Sequence, residues 1–94
     1  MDDELYKKMA RVLKAVGNPS RLKILHRLGD GEATVGALTE LTGLDQSTVS
    51  RHLAVLRSQG IVDDRRDGSN VRYRLLTPCV LEFFLCASKV VSER

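Results

Sequence analysis

Ninety-four residues, 43% hydrophobic and 29% charged, describe one small folded domain spanning 1–94 and exclude a disordered chain. No apolar run reaches the roughly 18 residues of a transmembrane helix, and the acidic start Met1-Asp2-Asp3-Glu4 is unlike a secretory signal, so the cytoplasm is the expected location. The formal net charge of +3 is too small to name a partner by itself.

Asp2 or Asp3 can cap a first helix whose apolar stripe is Leu5, Met9, Val12, Leu13 and Val16, with a stop at Gly17. Asn18-Pro19 reads as cap and first residue of a second helix, since a proline there forfeits no needed hydrogen bond. That helix carries Leu22, Ile24, Leu25 and Leu28 and ends near Gly29. Gly31 to Ala33 is a short connection, with room for one or two residues of strand. A third helix is expected from Val35 to Thr42, with Val35, Leu38 and Leu41 inward. After the tight turn Gly43-Leu44-Asp45, a fourth runs from Gln46 to Gln59, capped by Asp45 and ended by Gly60. Two short helices joined by a glycine-bearing turn fit a helix-turn-helix.

The pattern then alternates. Ile61–Arg66 and Val71–Leu76 read as paired strands around the turn Asp67-Gly68-Ser69-Asn70. Pro78 opens a last helix to about Ser92, with Thr77 as its expected cap. The expected class is mainly α (α+β): helix, helix, helix-turn-helix, β-hairpin, C-terminal helix.

The fourth helix is the most informative segment. At ~100° per residue, Val49, Leu53 and Leu56 share a narrow arc that packs inward. The opposite arc holds Ser47, Ser50, Arg51, Ala54 and Ser58, with Thr48 and Val55 at its edge. A merely solvated helix face usually carries Glu and Lys pairs, and Gln46–Gln59 contains no Lys, Glu or Asp. A slim, acid-free face suits a major groove ~12 Å wide. Gln46, Ser47 and Thr48 lie at its N-terminal end, where recognition helices meet bases and backbone N–H groups favour phosphate.

Charge points to the same region. Residues 1–45 hold seven Lys/Arg and seven Asp/Glu, whereas 46–76 hold six Arg against three Asp. Arginine donates two parallel hydrogen bonds to phosphate or guanine. Arg65, Arg66 and Arg72 flank the hairpin tip, within reach of phosphates or a narrow minor groove. Strand-edge arginines also block edge pairing, and Asp63, Asp64 and Asp67 are expected to engage some of them.

These segments resemble the ArsR/SmtB family of bacterial winged helix-turn-helix repressors. Gly17-Asn18-Pro19-Ser20-Arg21-Leu22-Lys23-Ile24-Leu25 resembles that family's second-helix signature, and Leu44 to Arg57 its recognition helix. Gly60-Ile61-Val62, Arg65-Arg66-Asp67-Gly68 and Val71-Arg72-Tyr73-Arg74-Leu75 resemble its wing. The resemblance spans roughly residues 5–85 in order. It implies a cytoplasmic homodimer, joined through its first and last helices, that sits on operator DNA and leaves when a ligand binds.

The last helix supports a dimer independently. Val80, Phe84, Ala87 and Val91 form one stripe, and Cys79, Phe83, Cys86 and Val90 a second. One stripe can cover this chain's own core, and the other needs a partner surface. Leu5, Met9, Phe83, Phe84 and Val90 are the expected dimer contacts.

No metal site of the kinds the resemblance implies is expected. Glu32–Leu38 holds no cysteine, and the last helix holds no histidine. The histidines, His26 and His52, lie on the second and fourth helices, and hydrogen bonding is the expected role of His52. Cys79 and Cys86 stand about 10.5 Å apart along a helix, too far for a disulfide within one chain. Antiparallel crossing of two last helices near Phe83 would bring Cys79 of one chain to Cys86 of the other. Thiols so placed could bind arsenite, a soft metal or an oxidant; equally, cysteine is a common small core residue. No paired nucleophile and base and no phosphate loop is present, and Gly29-Asp30-Gly31 lacks a following Lys-Ser/Thr, so an enzyme is not expected. The competing reading is a winged helix that binds another protein rather than DNA.

Overall fold

The computed structural model describes residues 1–93. The Asp2 carboxylate accepts from Leu5 N at 2.8 Å and starts α1, Asp3–Val16. The Asn18 side chain accepts from Ser20 N and Arg21 N at 3.0 and 3.2 Å and starts α2, Pro19–Leu28, with Pro19 at the first position. A two-residue strand β1, Ala33–Thr34, leads into α3, Val35–Thr42. Then come α4, Gln46–Ser58, the strands β2, Val62–Asp67, and β3, Asn70–Leu75, and the last helix α5, Val80–Ser92.

The strands form an antiparallel sheet in the order β1-β3-β2. Its inner face bears buried Ala33 and Val62 and half-buried Tyr73 and Leu75. These close over a core whose fully buried members are Ile24, Leu38, Val49, Leu53, Leu56, Ile61 and Val62. Each large aliphatic side chain so buried contributes about 1.5–3 kcal/mol. Three helices and the sheet thus converge on one face of α4 and hold it rigidly.

Four expectations are corrected. Leu41 is 44% exposed rather than inward. Gly43, at φ +72°, ends α3 in the left-handed region that favours glycine, and Leu44 returns from the turn to pack against the core. The hairpin turn is Gly68-Ser69 alone, because Asp67 and Asn70 still pair as strand residues. Gly68, at φ +65°, makes so tight a reversal possible. The last helix begins at Val80, not Pro78: the N–H groups of Val80, Leu81 and Glu82 bond to carbonyls three residues back, and Cys79 occupies the cap without a side-chain bond. Thr77 therefore does not cap it.

The last correction concerns how α5 is covered. Of its expected core-facing stripe only Val80 is buried. Phe84 is half-buried, stacked on His26 of α2 with ring centroids 4.4 Å apart, while Ala87 and Val91 are exposed. Past Phe84 the helix runs beside Leu22 of α2 across an open hollow lined by Ala87, Ser88, Val91 and Ser92, so more than one stripe stays largely uncovered within the protomer. No described helix is long and apolar enough to cross a membrane.

Candidate nucleic-acid interface

The face of α4 is built from its cap outward. Asp45 accepts from Thr48 N at 2.7 Å and from Ser47 Oγ at 2.9 Å. The backbone bond from Thr48, followed by the two hydroxyls and the nearby Arg51 charge, holds the Asp45 carboxyl below its ordinary 3.8. A charged Asp45 fixes the first turn and aims Gln46 and Ser47 outward. Val49, Leu53 and Leu56 are fully buried, whereas Gln46, Ser47, Ser50, Arg51, Ala54 and Ser58 are exposed and Thr48 is half-buried. Arg51 lies along the surface, one nitrogen 3.5 Å from Thr48 Oγ1. The helix thus offers solvent a small polar face with one guanidinium at its centre.

The wing runs along one edge of this face. Arg57 Nε lies 3.2 Å from Asp64 of β2, tying α4 to the sheet. Asp63 takes up Arg74 at 3.6 Å, and Glu32 stands a loose 3.9 Å from Arg65. The expected pairing of wing aspartates thus consumes Arg57 and Arg74. Arg66 and Arg72 have no ion-pair partner among the described residues. Arg65 and Arg72 are directly opposed across β2 and β3, so they share the outer face, and Arg66 opposes Val71 on the other. Opposed like charges are unfavourable alone and are relieved by an anion between them. An open hollow of about 310 Å³ separates the wing tip, Ser69 and Asn70, from Gln46 at the start of α4.

Two functional details escaped the sequence reading. One is the role of Arg57 as the wing's tether. The other is the partner of His52, whose Nδ1 accepts from Arg21 Nε at 3.1 Å while a second Arg21 nitrogen donates to the Ala15 carbonyl at 3.3 Å. Burial first, then the Arg21 and Arg51 charges, push His52 below its ordinary 6.5 and keep it a neutral acceptor. The hydrogen-bonding role was legible; a partner 31 residues away was not.

Both thiols are free and exposed: Cys79 stands at the cap of α5 and Cys86 two turns on. Among the described residues no group of three or more His, Cys, Asp and Glu could hold a metal ion. The two thiols are soft donors of a kind that suits soft cations. The expected dimer contacts Leu5, Met9, Phe83 and Val90 are 43–56% exposed, and Phe84 is partly engaged by His26.

Residues 18–64 match the family model described as bacterial regulatory protein, arsR family. The nodulation protein NolR of Rhizobium meliloti is 39% identical over 84 residues, 89% of this chain and 69% of that protein. This chain belongs to the ArsR family. Its structure superposes on the homodimeric winged helix-turn-helix DNA-binding domain of Mb0332 from Mycobacterium bovis, a possible ArsR-family regulator. The TM-score is 0.83 at 36% identity, covering 99% of this chain and 89% of that one. The transcriptional repressor BigR from Xylella fastidiosa gives 0.79 at 33% identity, with 96% of each chain covered. This ArsR-family chain is accordingly a DNA-binding transcriptional regulator with the winged helix-turn-helix fold, and not an enzyme.

Proposed function

We propose that two copies of this chain bind one near-palindromic operator in the cytoplasm and repress the adjoining gene. Gln46, Ser47, Thr48, Ser50 and Arg51 of each copy enter a major groove, and Arg65, Arg66 and Arg72 take neighbouring phosphates. The observation that supports this most is the outward face of α4, which is slim, free of acid and bordered by a cationic wing. A two-fold axis at α1 and α5 is supported by their exposed apolar rows, Leu5, Met9 and Leu13 on one and Phe83 and Val90 on the other. It would set the recognition helices about 34 Å apart, one turn of duplex. A protein-binding winged helix would need an apolar outer arc, and here that arc offers only Ala54 and the edge of Val55.

Selection of bound duplexes from random DNA, followed by affinity against salt, tests this reading. A symmetric site with log K falling steeply against log salt is expected, because cationic contacts release counterions. A monomer indifferent to duplexes contradicts it.

The signal that lifts the protein from DNA is proposed to act on Cys79 and Cys86, with arsenite or a soft metal ion as ligand. Their exposure on the helix that meets the partner supports this. A Cys79→Ser, Cys86→Ser protein should stay on its operator when arsenite is added. If it is released like the wild type, the thiol role fails and the DNA-binding reading stands.

A further inference from the structure

Residues 1–45 balance their charges along the sequence, but the fold does not leave them mixed. The acids of α1 are confined to its first turn, at Asp3 and Glu4. The rest of the helix carries Lys7, Lys8, Arg11 and Lys14. At about 100° per residue, Lys14 lies opposite Leu5 on α1 and Arg11 some 120° from it, so a dimer closed through Leu5, Met9 and Leu13 leaves both in solvent. They rim an open hollow of about 240 Å³ whose other lining residues are Ala15, Arg21, Val55 and Gln59, with no acid among them. Arg21 is held at this rim by its bonds to His52 and the Ala15 carbonyl.

The side of α4 on which this hollow lies gives it meaning. By the same turn angle of about 100°, Val55 and Gln59 fall some 80° and 120° to one side of Ser47. Arg57, which binds the wing through Asp64, falls about 80° to the other. The cationic hollow and the wing therefore border opposite edges of the helix face that enters the groove. A helix with its side chains is ~10–12 Å across and the major groove ~12 Å wide, so both edges press toward a sugar-phosphate backbone. The wing supplies cations to one strand only.

We propose that Arg11, Lys14 and Arg21 form a second bank for DNA backbone phosphate, on the edge of α4 away from the wing. This rests on α4 being the groove helix. Each protomer then holds its half-site from both strands. The bank carries no base specificity, since phosphate contacts fix position and not sequence.

The test uses the full chain and measures operator and random-duplex affinity against potassium chloride for Arg11→Ala, Lys14→Ala. Both residues are exposed, so circular dichroism and dimer mass should match the wild type. Arg21 is left in place because it also holds α1 and α4 together. Each lost phosphate contact takes about 0.9 from the salt slope, up to about 3.6 for two residues in two protomers. Affinity should drop alike on both duplexes, and Lys23→Ala, about 160° round α2 from Arg21, should change neither quantity. Should the Ala pair perturb the helix, Arg11→Gln, Lys14→Gln must give the same slope change. An unchanged slope in a folded double variant, with wild-type binding intact, overturns the second bank and leaves the groove reading standing. A wild-type protein with no salt-dependent duplex binding overturns both.

Discussion

The segment from Asn18 to Leu76 and the helices on either side of it follow different packing rules. Within the segment every helix is capped by a side chain, and the only large apolar residues left exposed are Leu41 and Leu76. The flanks hold the other nine of the eleven exposed large apolar side chains among the described residues. From the flanking helices the core buries Ala15 and Val16 of α1 and Val80 of α5, with half-buried Val12 packed against it. One chain suffices to build the DNA-reading unit; in the proposed dimer a second copy completes α1 and α5. Stability and DNA affinity should therefore respond to different residues.

The largest effect should come from the middle of the reading unit. Leu53→Ala removes a fully buried side chain and should lower the unfolding free energy by about 2–5 kcal/mol in urea titration. A shift below about 1 kcal/mol would mean that α4 is loosely seated. Phe83→Asp should spare that core and weaken the dimer by about 2–4 kcal/mol, the size of an interface hot spot. Sedimentation equilibrium reads this directly, and a dimer of undiminished strength would remove Phe83 from the interface. Arg51→Ala touches neither unit's packing. It should cost about 1–3 kcal/mol of operator affinity at unchanged melting temperature.

The smallest effect is the sharpest probe of the joint between the two regions. His52 is held below its ordinary 6.5 in the fold, so the folded chain takes up a proton less readily than the unfolded one. The contribution is whole above 6.5 and shrinks as pH falls through that value toward the folded one. Melting temperature should decline between about pH 7.5 and pH 5.5, and His52→Gln, which still offers Arg21 an acceptor, should flatten the decline. An identical decline in the variant would assign it to other groups.

Much of this was legible because it is local. Asp2, Asn18 and Asp45 cap their helices within three residues, and the buried arc of α4 repeats with the helix period. The reading went wrong where position depends on what lies across the fold. Leu41 has the right spacing to face inward, yet Leu44 reaches the core in its place after the Gly43 reversal. One whole stripe of α5 was expected to cover the core, yet of Val80, Phe84, Ala87 and Val91 only Val80 is buried, because apolar periodicity does not say which surface it will meet. The cations of α1 were hidden by counting charge along the chain, where Asp2, Asp3 and Glu4 cancel Lys7, Lys8 and Arg11. In space those acids sit at the far end of the helix from the hollow.

Methylation protection at guanine N7 decides the central matter, since that atom lies on the floor of the major groove. On a selected operator, bound protein should shield two groups of guanines with centres about 10–10.5 base pairs apart, and Arg51→Ala should thin both. Unshielded guanines N7 throughout a duplex that the protein demonstrably occupies would show that α4 does not lie in the groove.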